Sequence, residues 1–281
     1  MTKRDKSHYA ETWDSYVTRD FPRIRQGPPR TAADLRPWQV LNTTDTEYAW
    51  PGDEWGDAAT VARILDRCLF GPMGGTAPAR LCELASGAGR FTAPVLARWP
   101  EARIDCFDIS QAFLDQMQVR FSAEIETGRM RTFLLTEAPM TMYRTLADDG
   151  LARQVDAVFS FDAMVHVELH SLAVYLVTAA AVLKPGGLLT MNVADATTDA
   201  GFQKLLFNAP GVFHRGGAAG PQFQFAGPEI LARLLDGLGF SHETWDGNGR
   251  DLFFIARLTD PGAAARSLAA AGANWWPGPE T

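Results

Sequence analysis

From Arg80 onward, short apolar runs alternate with stretches whose apolar positions recur every three or four residues, a rhythm that predicts β-α-β units feeding a parallel sheet. The runs near 80–84, 103–108, 130–136, 155–161 and 187–193 predict strands, and segments 90–99, 111–127, 139–148 and 167–183 predict the helices between them. Ile230 to Leu238 is a further amphipathic helix, ended by Gly239. SHETWD and RDLFFIARL flank Gly247-Asn248-Gly249, a hairpin turn signal, so an antiparallel ribbon closes the sheet. The predicted class is α/β, a doubly wound and mostly parallel sheet of seven strands ending in an antiparallel hairpin.

Residues 1–76 follow another pattern. They hold Trp13, Trp38, Trp50 and Trp55, several prolines and no convincing strand, and predict a helical, aromatic cap. Its clearest element starts after Asp57, an N-cap residue, with Val61, Ile64, Leu65, Cys68 and Leu69 on one face and Gly71-Pro72 as the stop. The sheet domain then spans 77–259, with an insertion at about 200–225 that carries Phe202, Phe207, His214 and Phe223. Such a long connector is either a lid or a tolerated insertion. Residues 260–281, rich in Ala, Gly and Pro, read as a tail.

Composition narrows the partners. A hydrophobic share of 46% suits a globular chain, and a net charge of −7 opposes a polyanion such as nucleic acid. Cys68, Cys82 and Cys106 are odd in number and each lies in an apolar run, which predicts core thiols in a reducing compartment. The basic N-terminus has no apolar stretch behind it, and the longest apolar segment, Leu172 to Leu183, is too short to span a bilayer. The expectation is a cytoplasmic protein acting on a small molecule, with no nucleic-acid or membrane partner; a homo-oligomer is left open.

The candidate chemistry begins after the first strand. Glu83-Leu84-Ala85-Ser86-Gly87-Ala88-Gly89 ends the strand in an acid, followed by a small-residue turn and a helix start, where backbone amides are free and a ligand can come close. A dinucleotide fingerprint needs a third glycine where Thr92 stands, and a phosphate loop needs a Gly-Lys-Ser/Thr that is absent. Glu83 would repel a pyrophosphate yet suit an ammonium. Some 25 residues on, the second strand ends in Asp108-Ile109, a carboxylate able to accept from two ribose hydroxyls and an apolar residue to lie on a purine.

These stations resemble the class I S-adenosylmethionine-dependent methyltransferases, in their small-molecule, natural-product branch. Glu83-x-Ala85-x-Gly87-x-Gly89 is similar to their first motif, with Ala85 where a glycine usually stands. Asp108 matches the ribose-binding acid, Thr136-Glu137-Ala138 the acid and small residue near the adenine, and Val155 to Phe161 with Lys184-Pro185-Gly186-Gly187 the fourth strand and the turn before the fifth. The resemblance implies a Rossmann-like domain binding S-adenosyl-L-methionine and releasing S-adenosyl-L-homocysteine, with cofactor contacts at Glu83, Ala85, Ser86, Gly87, Gly89, Asp108, Ile109, Glu137, Ala138, Ser160 and Phe161. It implies methyl transfer to nitrogen or oxygen of a natural product or sugar intermediate in bacterial secondary metabolism. A methyltransferase-like binding module without activity and a nicotinamide-dependent oxidoreductase remain the alternatives.

An oxygen acceptor benefits from a base beyond the carboxyl ends of the fourth and fifth strands. His166 is placed for that role or for capping the next helix, with His170 one turn on. In the cap, Tyr9, Trp13 and Tyr16 fall at helical spacing, and Tyr9 or Tyr16 is the candidate hydroxyl near the methyl. No metal is assigned; the alternative is that Asp162 and Asp195, at two strand ends, share a divalent ion.

Overall fold

In a computed structural model, the described residues are 6–27, 48–135, 140–212, 223–247, 249–273 and 275. Strands β1 (Arg80–Leu84), β2 (Arg103–Asp108), β3 (Met130–Leu134), β4 (Val155–Ser160), β5 (Leu183–Asp195), β6 (Phe225–Ala226), β7 (Phe240–Asp246) and β8 (Asp251–Leu258) form one sheet. Its order is β3-β2-β1-β4-β5-β8-β7, with β6 beside β5. β1 to β5 run parallel, and the β7–β8 hairpin is added antiparallel to β5. The helices are α1 (Lys6–Ser15), α2 (Phe21–Gln26), α3 (Ala58–Leu65), α4 (Thr92–Arg98), α5 (Gln111–Arg120), α6 (Ser122–Glu126), α7 (Met140–Asp148), α8 (Leu169–Val182), α9 (Asp199–Asn208), α10 (Pro228–Gly237) and α11 (Ala263–Ala270).

Both sheet faces are covered, which is why the strands read as continuous apolar runs. Cys82, Leu84, Val158 and Leu189 pack with α7, α8 and α10 through Met142, Leu176 and Leu235. Leu81, Ile104, Ala157 and Phe159 pack on the other face with Leu65 of α3, Val95 of α4 and Met117 of α5. Each such fully buried side chain stabilises the fold by about 1.5–3 kcal/mol relative to exposure. The three cysteines are buried and free. α3 lies within residues 1–76, yet its apolar face is part of this sheet core. No helix among the described residues is long and apolar enough to cross a membrane.

Three details depart from the sequence pattern. The segment 111–127 is two helices, because Phe121 (φ −120, ψ 32) leaves the helical region and buries its ring under the turn after β1. Lys184 to Gly187 is a bulge inside β5 rather than a turn before it, since Leu183 already pairs with Val155 and Leu188 with Ala157. The described part of the insertion at 200–225 carries regular structure: α9 is capped by Thr198, whose Oγ1 accepts from Gly201 N–H at 3.1 Å, and β6 pairs with Ala194 and Asp195. His214 and Asn248, like Trp38, lie outside the described residues.

Candidate active site

A cavity of about 1040 Å³ lies at the carboxyl ends of β1, β2 and β4, under α1. The chain crosses from β1–β2–β3 to β4–β5 there, the switch point at which open α/β sheets hold ligands.

Its floor is the turn after β1. Ala85 (φ +54) and Gly87 (φ +57) adopt left-handed backbone conformations. For Ala85 that geometry costs about 1–2 kcal/mol, so the neighbours must hold it. Ser86 N–H donates to Phe107 O at 3.3 Å, and Gly87 N–H to Asp108 Oδ2 at 2.8 Å. Asp108 Oδ1 accepts from Ser110 N–H at 2.9 Å. Asp108 is only 4% exposed, and burial pushes its carboxyl up to about 6 despite these bonds. Two carboxylate oxygens carry about four acceptor positions, so this group can still take two hydroxyls from the cavity.

Of the residues expected to contact the cofactor, Ala85, Ser86, Gly87, Asp108, Ile109 and Phe161 line the cavity, and Glu83, Gly89 and Ser160 do not. Strand alternation is the reason for Glu83. Leu84 points to the α7–α8 side and Glu83 to the other, where Thr92 Oγ1 donates to Glu83 Oε2 at 2.5 Å. Burial pushes Glu83 up to about 8. Glu83 thus braces the start of α4 and does not face an ammonium in the cavity. Gly89 (φ +84) is needed for packing: a Cβ there would lie 2.3 Å from Cε2 of Phe121. Ser160 is fully buried, its hydroxyl without a hydrogen-bond partner among the described residues. Glu137 and Ala138 lie outside the described residues.

The roof comes from the cap. Tyr9, Trp13 and Trp55 line the cavity, with the Trp13 ring 5.8 Å from Trp55 and 5.3 Å from His166. Tyr16 is a correction. It turns away from the cavity, donates to the buried Glu54 carboxylate and accepts from Gly52 N–H at 3.1 Å. Burial and the adjacent Glu54 push its phenol well above the usual tyrosine range, so it is no base. Asp14, unremarked in the sequence, fastens α1 to the sheet domain: its Oδ1 accepts from Ser110 Oγ at 2.6 Å and Ala112 N–H at 3.0 Å, at the N-terminus of α5.

His166 sits on a 3-10 turn (Met164–His166) and lines the cavity, its ring 4.9 Å from Phe223. His170 is exposed on α8. Asp162 (φ +60) also lines the cavity, with Oδ2 2.9 Å from Arg90 and Oδ1 3.5 Å from Arg250. Asp195 Oδ1 instead accepts from Thr197 N–H at 2.8 Å and Thr197 Oγ1 at 2.7 Å. The two acids thus have separate partners, and among the described residues no group of three or more His, Cys, Asp or Glu is placed to hold a metal. Sequence reasoning missed Arg90 and Tyr175, both in the wall. Arg90 directly follows the small-residue turn, the one signal that marked it.

Residues 81–187 match the family model described as a methyltransferase domain. That segment holds the turn, Asp108, Asp162 and His166. In fold the chain resembles magnesium protoporphyrin IX methyltransferase from Synechocystis PCC 6803 with bound SAH, at 14% identity and TM-score 0.58 over 90% of this chain and 99% of that one. It also resembles the CurJ carbon methyltransferase, 16% identical with TM-score 0.54 over 91% and 68% of the two chains. An O-methyltransferase family protein from Burkholderia thailandensis is 18% identical, with TM-score 0.51 over 72% and 58%. No curated protein matches the chain.

Proposed function

We propose that the protein is an S-adenosyl-L-methionine-dependent methyltransferase that modifies a nitrogen or oxygen of a small molecule, of the natural-product or sugar-intermediate class in bacterial secondary metabolism. The observation that carries the reading is Asp108: a buried carboxylate in the cavity wall, steered by Gly87 and Ser110 amides, next to a turn whose backbone a nucleoside can approach. The methyltransferase-domain match over the same residues supports it, as do fold neighbours that hold bound SAH and SAM. When bound, S-adenosyl-L-methionine supplies an electrophilic methyl on a sulfonium, and the broken bond's electron pair stays on sulfur in S-adenosyl-L-homocysteine.

The chain's own residues would do the rest. Asp108 accepts the ribose hydroxyls, with Ile109 against the base. Trp13, Tyr9 and Phe223 exclude water and offer an apolar face to the acceptor. His166 takes the proton that the acceptor atom gives up as it bonds to the methyl carbon. About 1040 Å³ is at the upper end of single-ligand pockets and leaves room for an acceptor beside the cofactor, which argues against an inactive binding module. The acidic net charge favours a small acceptor over nucleic acid. Calorimetry with S-adenosyl-L-methionine, S-adenosyl-L-homocysteine and NAD tests the reading: the first two bind and NAD does not. Binding of NAD alone overturns it.

A further inference from the structure

Arg250 and Asp251, where β8 begins, are buried charges for which the proposed methyl transfer has no use. They are only 5% and 1% exposed, and Asp251 takes one edge of the guanidinium, from Nε at 2.7 Å and Nη2 at 2.5 Å. Burying such a pair costs desolvation that its attraction barely offsets, so stability does not explain its place beside the cavity. What the pair touches does. Arg250 reaches both ends of the loop after β4, residues 162–166, which carries the proposed base.

At the near end, Arg250 Nη2 lies 3.5 Å from Asp162 Oδ1. Asn192 closes the same network: its Oδ1 accepts from Asp162 N–H at 2.7 Å and its Nδ2 donates to Asp251 Oδ2 at 3.3 Å. At the far end the contact runs through Phe223. The guanidinium carbon of Arg250 is 4.7 Å from the Phe223 ring, and that ring meets the His166 imidazole edge to face, at 4.9 Å and 88°. Lys204 Nζ lies 4.6 Å from the same ring. The backbone beside it is anchored too, since Gln224 N–H donates to Val165 O at 2.7 Å. A guanidinium whose edge is taken by a carboxylate keeps its faces for an aromatic ring, a geometry that an ammonium does not reproduce. Trp13, 5.3 Å from the imidazole, supports it from the cap. Without its seat on Arg250, Phe223 is free to turn, and His166 loses one of the rings that orient it.

We infer that Arg250 is a positioning residue: its guanidinium seats Phe223, and through that ring it fixes the direction of the His166 imidazole in the cavity. The inference rests on His166 as the proton acceptor of the proposed methyl transfer, but its test needs neither a methyl acceptor nor turnover. The full chain, carrying 13C-labelled histidine, is compared with Arg250→Lys, Phe223→Leu, Phe223→Tyr and the double variant of the first two. The signal missing from His166→Gln identifies the imidazole among the five histidines. The readouts are the ring-current shift of that signal and the rate at which diethyl pyrocarbonate acylates His166 at one fixed pH, located by mass spectrometry. Arg250→Lys and Phe223→Leu displace the signal in the same direction and each speeds acylation about tenfold, the equivalent of one desolvated cation–π contact. The double variant goes no further than either single one, as for two residues acting through one path. Phe223→Tyr, which keeps the ring, stays at the wild-type rate. S-adenosyl-L-homocysteine affinity by calorimetry is unchanged throughout, which a general loosening of the fold would not allow. Arg250→Lys with an unmoved signal and wild-type acylation overturns the inference. So do single-variant effects that add in full, because Arg250 then acts by another route. Should Arg250→Lys not fold, the wild-type Arg250 side-chain signals decide: an upfield ring-current shift that disappears in Phe223→Leu supports the seat, and its absence overturns it. A wild type that binds no S-adenosyl-L-homocysteine overturns the methyltransferase reading, and with it the purpose given to the positioning.

Discussion

The floor and the roof of the cavity are built by different means. On the floor, two short stretches, 84–91 and 107–110, carry the contacts, and backbone amides of Gly87 and Ser110 aim Asp108. On the roof, Tyr9, Trp13, Trp55, Leu205 and Phe223 arrive from segments far apart in the chain, and the cap is held by a few side-chain bonds such as Asp14 to Ser110. A wall made by backbone geometry can present the same ligand features under many side-chain changes. A wall made by side chains on a docked helix can be re-cut for a new acceptor, and it can open.

Four changes probe that contrast, from the largest expected effect to the smallest. His166→Ala, at the roof edge, lowers turnover about 100-fold or more with S-adenosyl-L-homocysteine affinity unchanged, as measured by steady-state rates and calorimetry. A variant with full turnover removes His166 from the proton path. Asp108→Ala, in the floor, weakens cofactor binding by about 1–3 kcal/mol. Because burial lifts the Asp108 carboxyl to about 6, wild-type affinity is flat above neutrality and falls as the pH drops below about 6, where the group holds a proton.

Glu83→Gln tests whether that acid is structural. Burial raises it from 4.5 to about 8, so the folded protein holds the proton more tightly than the unfolded chain. The stability linked to it is complete below about pH 4.5 and is lost as the pH rises through about 8. Thermal melts across that window should show the variant relieved of a slope of up to about 1.4 kcal/mol per pH unit, with cofactor affinity preserved. A large loss of affinity instead would return Glu83 to the cofactor. Asp14→Ala costs about 1 kcal/mol, speeds amide exchange in residues 6–26 and weakens the cofactor less than Asp108→Ala does. Unchanged exchange would mean that the apolar contacts alone hold α1.

What could be read from the chain follows the same division. β1, β2, β4 and their turns were legible because apolar runs, a small-residue turn and Asp108 at a strand end are local signals. Trp13 was legible from its helical spacing to Tyr9. Tyr16 shares that spacing, but its hydroxyl meets Glu54, 38 residues on, and nothing local announces this. Asp14 finds Ser110 across 96 residues, and Arg90 finds Asp162 across 72. Glu83 was misplaced although the period-two alternation of β1 already set it opposite Leu84; the motif outweighed the strand geometry. The break at Phe121 follows from a ring seated against Gly89, a tertiary contact with no trace in the helical periodicity.

The central claim is that the buried carboxylate at the end of β2 receives the sugar of an adenosyl cofactor. A crystal structure with S-adenosyl-L-homocysteine decides it most directly: the account predicts both ribose hydroxyls within about 2.6–3.0 Å of the Asp108 oxygens. An adenosine lodged elsewhere, with Asp108 bonded only to Gly87 and Ser110, would contradict it.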